Sequence, residues 1–368
     1  MTESYDAIVV GAGPAGLATS RELARAGVKH VVLERGEALG HTWANLYEGL
    51  VLHTGKHFSA LPGKPFPSST PLFPTRLDFL DYLHQYAETF RVPIETQAHV
   101  ESIQPDTDTW TVHVRGGSAR RARAIVVASG IVSNPYVPHF QGRSRFRGNI
   151  IHSVEYRSPH RFRNLRVLVV GAGNSSGEIC AELADAGAQV TVSIRSGARV
   201  VPRELLGIPI QYFGVALSLL PQPVLRTAMS LTGAISQRAR GASPLPPPEA
   251  NECTKVPLIG FHLADGVRSG RIRLRRGISE VTATGVRFAD DREEDFDHII
   301  LATGYRAAVG MMGTLVGVDR CGFAARRNRV VSIDRPNLYF VGHNYDAGGG
   351  LRNIARDARL AASLIARR

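Results

Sequence analysis

Two stretches of the 368-residue chain carry glycines at a spacing suited to holding an anion. Gly11-Ala12-Gly13-Pro14-Ala15-Gly16 follows an apolar run at residues 5–10, and Gly171-Ala172-Gly173-Asn174-Ser175-Ser176 follows another at 166–170. The first glycine of such a turn permits the tight bend, and the second lets the backbone approach a pyrophosphate. The third position must be small so that helix and strand pack closely. Exposed N–H groups at the helix start then hold the anion. Ser176 stands in the third place of the second turn, which a small residue can fill.

The flanking elements make each turn part of a strand–helix–strand unit. In the first, a helix through Leu17, Leu23 and Ala26 ends at Gly27, and a strand over 28–33 ends at Glu34. In the second, a helix through Ile179, Leu183 and Ala186 ends at Gly187, and a strand over 189–194 ends at Arg195. Glu34 is a carboxylate suited to accept hydrogen bonds from ribose 2′- and 3′-hydroxyls, which fits FAD or NAD and repels a 2′-phosphate. Arg195, followed by Ser196, offers a cation and a hydroxyl where NADP carries that phosphate. Arg195 also reads as an ordinary solvated arginine at a strand end. The expected fold is α/β, with two Rossmann-like dinucleotide-binding domains and the NADPH domain inserted into the FAD domain. Residues 1–160 form the first part of the FAD domain, 161–300 the NADPH domain with an apolar insertion at 205–250, and 301–368 the rest of the FAD domain. An interdomain linker is expected at 158–164.

Other runs complete this plan. Residues 124–128 read as a buried strand ending in Ser129-Gly130, and 296–302 as one ending in Thr303-Gly304-Tyr305. A third, at 337–341, precedes Gly342-His343 and the glycines 348–350, which open a helix from about residue 352. The dipole of that helix suits the electron-rich side of a reduced flavin. The stretch 205–245 mixes apolar helical pieces with prolines, and lines a substrate passage, rests on a membrane surface, or is core.

Composition narrows the classes. With 43% hydrophobic and 21% charged residues, the chain is neither disordered nor a disulfide-stapled miniprotein. Its three cysteines lie far apart with no Cys-x-x-Cys, so no zinc knuckle or dithiol motif is written. The net charge of +12 invites a nucleic-acid reading, yet only four of the 44 basic residues are lysine, a bias that reflects base composition as readily as binding. No nucleic acid is expected as a partner. Residues 115–166 hold eleven arginines and one acid, Glu155, a window suited to steering an anionic cofactor toward its cleft. Neither a leader segment nor a membrane span is read, so a cytoplasmic protein is expected. The oligomeric state stays open, a homodimer being one option.

The run Phe146-Arg147-Gly148-Asn149-Ile150-Ile151-His152-Ser153-Val154-Glu155-Tyr156 matches F-x-G-x-x-x-H-x-x-x-Y just before the second glycine turn. In this the chain resembles the flavin-containing monooxygenases. Trp43, the run from Leu50 to Phe58 with His53 and Thr54, Leu61-Pro62, Phe73-Pro74-Thr75-Arg76, Val201-Pro202-Arg203-Glu204-Leu205 and Ala302-Thr303-Gly304-Tyr305 are similar to the YUCCA-type branch. The likeness covers nearly the whole chain. Departures are Ser176, the Arg-Ala-Ala-Val-Gly-Met-Met after Tyr305, and the segment 345–351.

The resemblance implies a flavoenzyme using FAD, NADPH and O2 to oxygenate a small molecule through a C4a-(hydro)peroxyflavin. For the branch, that reaction is oxidative decarboxylation of indole-3-pyruvate. It leaves N- or S-oxygenation, Baeyer–Villiger oxidation, and a reductase without oxygen insertion as alternatives. It places Gly11, Gly13, Gly16 and Glu34 on FAD, with Trp43, His53, Gly130 and Leu351 near it. Gly171, Gly173, Ser175, Ser176 and Arg195 fall to NADPH, with Tyr305 close to both. Further cofactor contacts are expected at Pro14, Ala15, Arg35, Thr54, Val100, Ala128, Asn174 and Gly342. His53 stands where the broader family carries an asparagine near the flavin, and is the candidate catalytic residue or else a core histidine. The motif around His152 links the two domains and helps place NADPH, with His152 a satisfied linker histidine and not the chemical base. Little other acid–base machinery is expected, and no metal.

Overall fold

The computed structural model describes residues 3–205, 207–217, 241–248, 256–345 and 349–367. Most of the insertion at 205–250 and the glycine at 348 therefore lie outside the described residues. The chain divides into two compact units: Met1–Leu46, Thr54–Asn134 and Tyr305–Arg368 form one, and Tyr47–His53 with Pro135–Gly304 the other.

The first unit is built on a sheet of nine strands among the described residues. Its parallel core runs Leu338–Phe340, Arg120–Val127, Ser4–Val10, His30–Leu33, Ile94–Glu95. Antiparallel strands at Val100–Pro105 and Trp110–Val114 extend from Arg120–Val127. Ser4–Val10 is apolar almost throughout because both of its faces are covered. Ile8 and Val10 join a core with Val31, Leu33, Ile125, Val127 and Phe340. The helix Pro14–Arg25 starts with proline at its first turn, where a missing N–H costs nothing.

The second unit holds an all-parallel sheet in the order Ile272–Arg275, Gln189–Ser193, Arg166–Val170, His298–Leu301, Asn149–His152. Arg166–Val170 feeds two cores in alternation, as the two-residue period of a strand requires. Val167 and Val169 pack with Ile179, Cys180 and Leu183 of the helix Asn174–Asp185. Leu168 and Val170 pack with Phe288 and Phe296, from the antiparallel meander Ile278–Val281, Gly285–Phe288, Glu293–Asp295 and the residue that follows it.

The expected linker at 158–164 is corrected. Phe162, at 1% exposure, sits in the core of the second unit, so this segment is part of the packed body. Chain passage between units falls instead at residues 46–47, 53–54, 134–135 and 304–305. A proline among polar residues reads as a joint, while one buried phenylalanine outweighs them.

Candidate functional site

The two glycine turns are built alike. Gly11 has φ +104° and Gly171 φ +134°, values an L side chain rarely adopts. A Cβ at Gly11 would lie 2.8 Å from the Ala128 carbonyl oxygen, and one at Gly171 2.3 Å from that of Ala302. Each first glycine thus lets the turn pass the end of the neighbouring parallel strand. Beside Gly13 and Gly173 a Cβ would meet nothing within 4 Å. Neither helix has a side-chain N-cap, so its first N–H groups stay open to an anion.

The third positions differ instructively. At Gly16 a Cβ would lie 1.8 Å from the Gly11 carbonyl oxygen. Ser176, fully buried, takes the equivalent place and donates its Oγ–H to the Gly171 carbonyl at 2.7 Å. A forbidden approach in one turn becomes a hydrogen bond in the other.

Glu34 is buried at 7% exposure and accepts from two main-chain donors, Ala12 N–H at 2.7 Å and Gly36 N–H at 2.9 Å. Its carboxylate therefore braces the turn itself, keeping lone pairs over for a ribose. Arg195 is exposed two residues beyond its strand. These open N–H groups, the unfilled space at Gly13 and Gly173, and the contrast of a buried carboxylate with an exposed guanidinium fit two dinucleotides of different ribose chemistry.

The remaining expected contacts are distributed as follows. In the first unit, Pro14 and Ala15 open the first helix, Arg35 is exposed, and Trp43 meets Phe79 edge-on at 4.4 Å. Thr54 Oγ1 pairs with Ser59 Oγ at 2.6 Å. Gly130 has φ +69°, and its carbonyl accepts from Ala308 N at 2.9 Å, beside the buried Ala128. A Cβ on Gly342 would touch Ala15 Cβ at 2.9 Å, so this strand end abuts the start of the first helix. Leu351 opens the helix Gly350–Ala366, and Tyr305 begins the last segment of this unit. Val100 packs its side chain into the core, leaving only its main chain for a ligand. In the second unit, Asn174 spends its side chain on the main chain at Pro257 and Ile259, and Ser175 follows it in the helix.

His53 lies in the second unit and is no core histidine. Its Nε2 is 2.6 Å from Glu178 Oε1, with side-chain exposures of 24% and 17%. Tyr47 donates its hydroxyl to the other Glu178 oxygen. Burial pushes the Glu178 carboxyl up, but the His53 and Tyr47 hydrogen bonds and the Arg203 charge outweigh it, and the net shift is down. One turn on, Glu182 accepts from the Tyr156 hydroxyl at 2.9 Å, and burial with the Glu178 and Glu48 charges moves it up. Two carboxylates on one helix face are thus driven apart, a pairing typical of functional sites. Sequence reading missed both: the partners stand 125 residues apart, and the only local signal was the four-residue spacing of Glu178 and Glu182.

His152 is 3% exposed, with Nε2 at 3.2 Å from the Gly304 carbonyl and Nδ1 accepting from Val154 N at 3.2 Å. Burial lowers its pKa, so it sits neutral and committed to the main chain. The arginine-rich window is less charged than its composition suggests. Arg115, Arg120, Arg121, Arg123, Arg145 and Arg166 each meet a carboxylate from outside the window. Among the described residues no group of three or more His, Cys, Asp or Glu is placed to hold a metal ion, and no helix is long and apolar enough to cross a membrane.

Turns of this geometry on parallel sheets are those of a dinucleotide-binding fold, and residues 8–203 match the pyridine nucleotide-disulphide oxidoreductase family. The chain is 36% identical over 376 residues to the indole-3-pyruvate monooxygenase YUCCA1 of Oryza sativa subsp. japonica, covering 95% of this chain and 90% of that protein. A flavin-containing monooxygenase from Stenotrophomonas maltophilia shares the fold with a TM-score of 0.79 at 24% identity, over 99% of this chain and 98% of that one. A cyclohexanone monooxygenase from Rhodococcus sp. Phi1, solved with NADP+, does so at TM-score 0.74 and 18% identity, over 100% and 85%. The chain belongs to the flavin-containing monooxygenase family and is an oxidoreductase of that kind. Membership implies FAD and NAD(P)H.

Proposed function

We propose that the protein is an FAD- and NADPH-dependent monooxygenase acting on an aryl 2-oxo acid such as indole-3-pyruvate, by oxidative decarboxylation. The observation that carries the cofactor pair is the contrast between the two turns: buried, turn-bracing Glu34 against exposed Arg195. The substrate class rests on the likeness to the plant indole-3-pyruvate monooxygenase over nearly the full chain. FAD takes the first turn, in the unit of residues 1–46, 54–134 and 305–368, and NADPH the second, in the unit of residues 47–53 and 135–304.

A flavin bound at the first turn would supply the redox chemistry between the nicotinamide and O2. The chain's own residues bind, orient and move protons. Open N–H groups after Gly13 and Gly173 hold the pyrophosphates. Glu34 receives the FAD ribose hydroxyls on the lone pairs its own turn leaves over. Arg195 holds the 2′-phosphate through its exposed guanidinium. His152 keeps strand Asn149–His152 tied to Gly304 and takes no proton. His53 handles the proton of the oxygenation step.

The test is a substrate panel of indole-3-pyruvate, phenylpyruvate, a thioether, a tertiary amine and a cyclic ketone under 18O2. Label in indole-3-acetate, with NADPH and FAD both required, is the expected result. NADPH consumption that yields only peroxide, with no label in any product, overturns the proposal in favour of a reductase.

A further inference from the structure

We infer that Glu178 is a positioning residue for His53: its carboxylate holds the imidazole by Nε2–H and so makes Nδ1 the nitrogen that exchanges protons. The inference rests on the reading of His53 as the proton-handling group and adds the residue that aims it.

An ionised carboxylate only accepts hydrogen bonds, so the 2.6 Å contact at Nε2 requires the ring proton there. The neutral imidazole then has its lone pair on Nδ1, which meets no hydrogen-bond partner among the described residues. A histidine's free nitrogen is set by the bond its other nitrogen makes. The backbone of the segment is fixed independently, by Gln211 Nε2–H donating to the His53 carbonyl at 2.8 Å and by Arg203 donating to the Leu52 carbonyl at 3.0 Å. The segment thus has main-chain anchors besides Glu178, whose two bonds go to side chains alone, His53 and Tyr47. The proton balance is simple. An O–H donor loses its proton to Nδ1, an N–H bond forms, and the resulting imidazolium lies against the Glu178 carboxylate. The reverse transfer restores both, with no net redox change.

The decisive measurement is a long-range 1H–15N correlation spectrum of the holoenzyme labelled with 15N-histidine at pH 8, with the His53 signals assigned by their loss in His53→Ala. The expected result is a single Nε2–H tautomer for His53 in the wild type and a mixture of tautomers in the near-isosteric Glu178→Gln. An Nδ1–H tautomer or a mixture in the wild type overturns the inference, as does an unchanged tautomer in the variant. Product formed per NADPH is measured alongside, and a loss on the order of 100-fold is expected in both His53→Ala and Glu178→Gln. A fixed Nε2–H tautomer together with full product yield in His53→Ala would support the positioning and refute the proton-handling role of His53, so the two failures are distinguishable.

Discussion

Replacing Glu34 by alanine separates a bracing role from a ligand role. In the folded protein the carboxylate satisfies Ala12 N–H and Gly36 N–H, at 2.7 and 2.9 Å, at a site only 7% exposed. Alanine leaves two buried donors without a partner, at about 1–3 kcal/mol each, or about 2–6 kcal/mol together. For a domain of 150–250 residues a kcal/mol is worth roughly 2–4 °C, so the melting temperature should fall by roughly 4–24 °C. The assay is scanning calorimetry on protein stripped of FAD and again at saturating FAD. Because the lost bonds are within the chain, the fall is expected in the stripped protein, and FAD saturation should widen the gap by whatever affinity is lost. Glu34→Gln keeps one acceptor but turns an NH2 toward the other donor, and should cost about half as much. A stripped Glu34→Ala protein melting within about 2 °C of wild type would refute the bracing role and leave only the ribose contact.

Other perturbations test neighbouring claims. Gly16→Ala places a methyl 1.8 Å from a backbone oxygen and should lose about 1–3 kcal/mol of stability together with FAD affinity, read by fluorescence titration, whereas Ser176→Gly should change NADPH affinity less than tenfold. Arg195→Ala should erode the preference for NADPH over NADH by tenfold or more in flavin-reduction kinetics, and an unchanged preference removes the phosphate role. Burial holds His343 down at about 3, so between about pH 6.5 and 3 the unfolded chain binds a proton that the folded one does not. Its contribution is therefore intact near neutrality and falls as pH drops, by up to about 1.4 kcal/mol per pH unit. Denaturant titrations of His343→Phe should show a shallower acid limb than wild type, and parallel limbs would contradict the assignment.

Local pattern made much of the fold legible. Each strand–turn–helix unit around Gly11 and Gly171 is short and self-contained, so the strand Arg166–Val170 and the ends of both helices fall where glycine spacing and apolar runs put them. The expected linker failed for the opposite reason: burial of Phe162 depends on strands over a hundred residues away in sequence, which no local signal reports.

The sequence by itself determined that two pyrophosphate-type turns exist and that their second strands end in opposite charges. Those facts follow from short-range geometry, because a turn's glycine requirement is set within six residues. Only the tertiary structure decided what the side chains do once assembled. It turned Glu34 inward onto its own turn, matched six arginines of the basic window with distant carboxylates, and brought His53 against Glu178 across 125 residues. Hydrogen bonds and ion pairs act over about 3–4 Å whatever the separation along the chain, so their partners become visible only after folding.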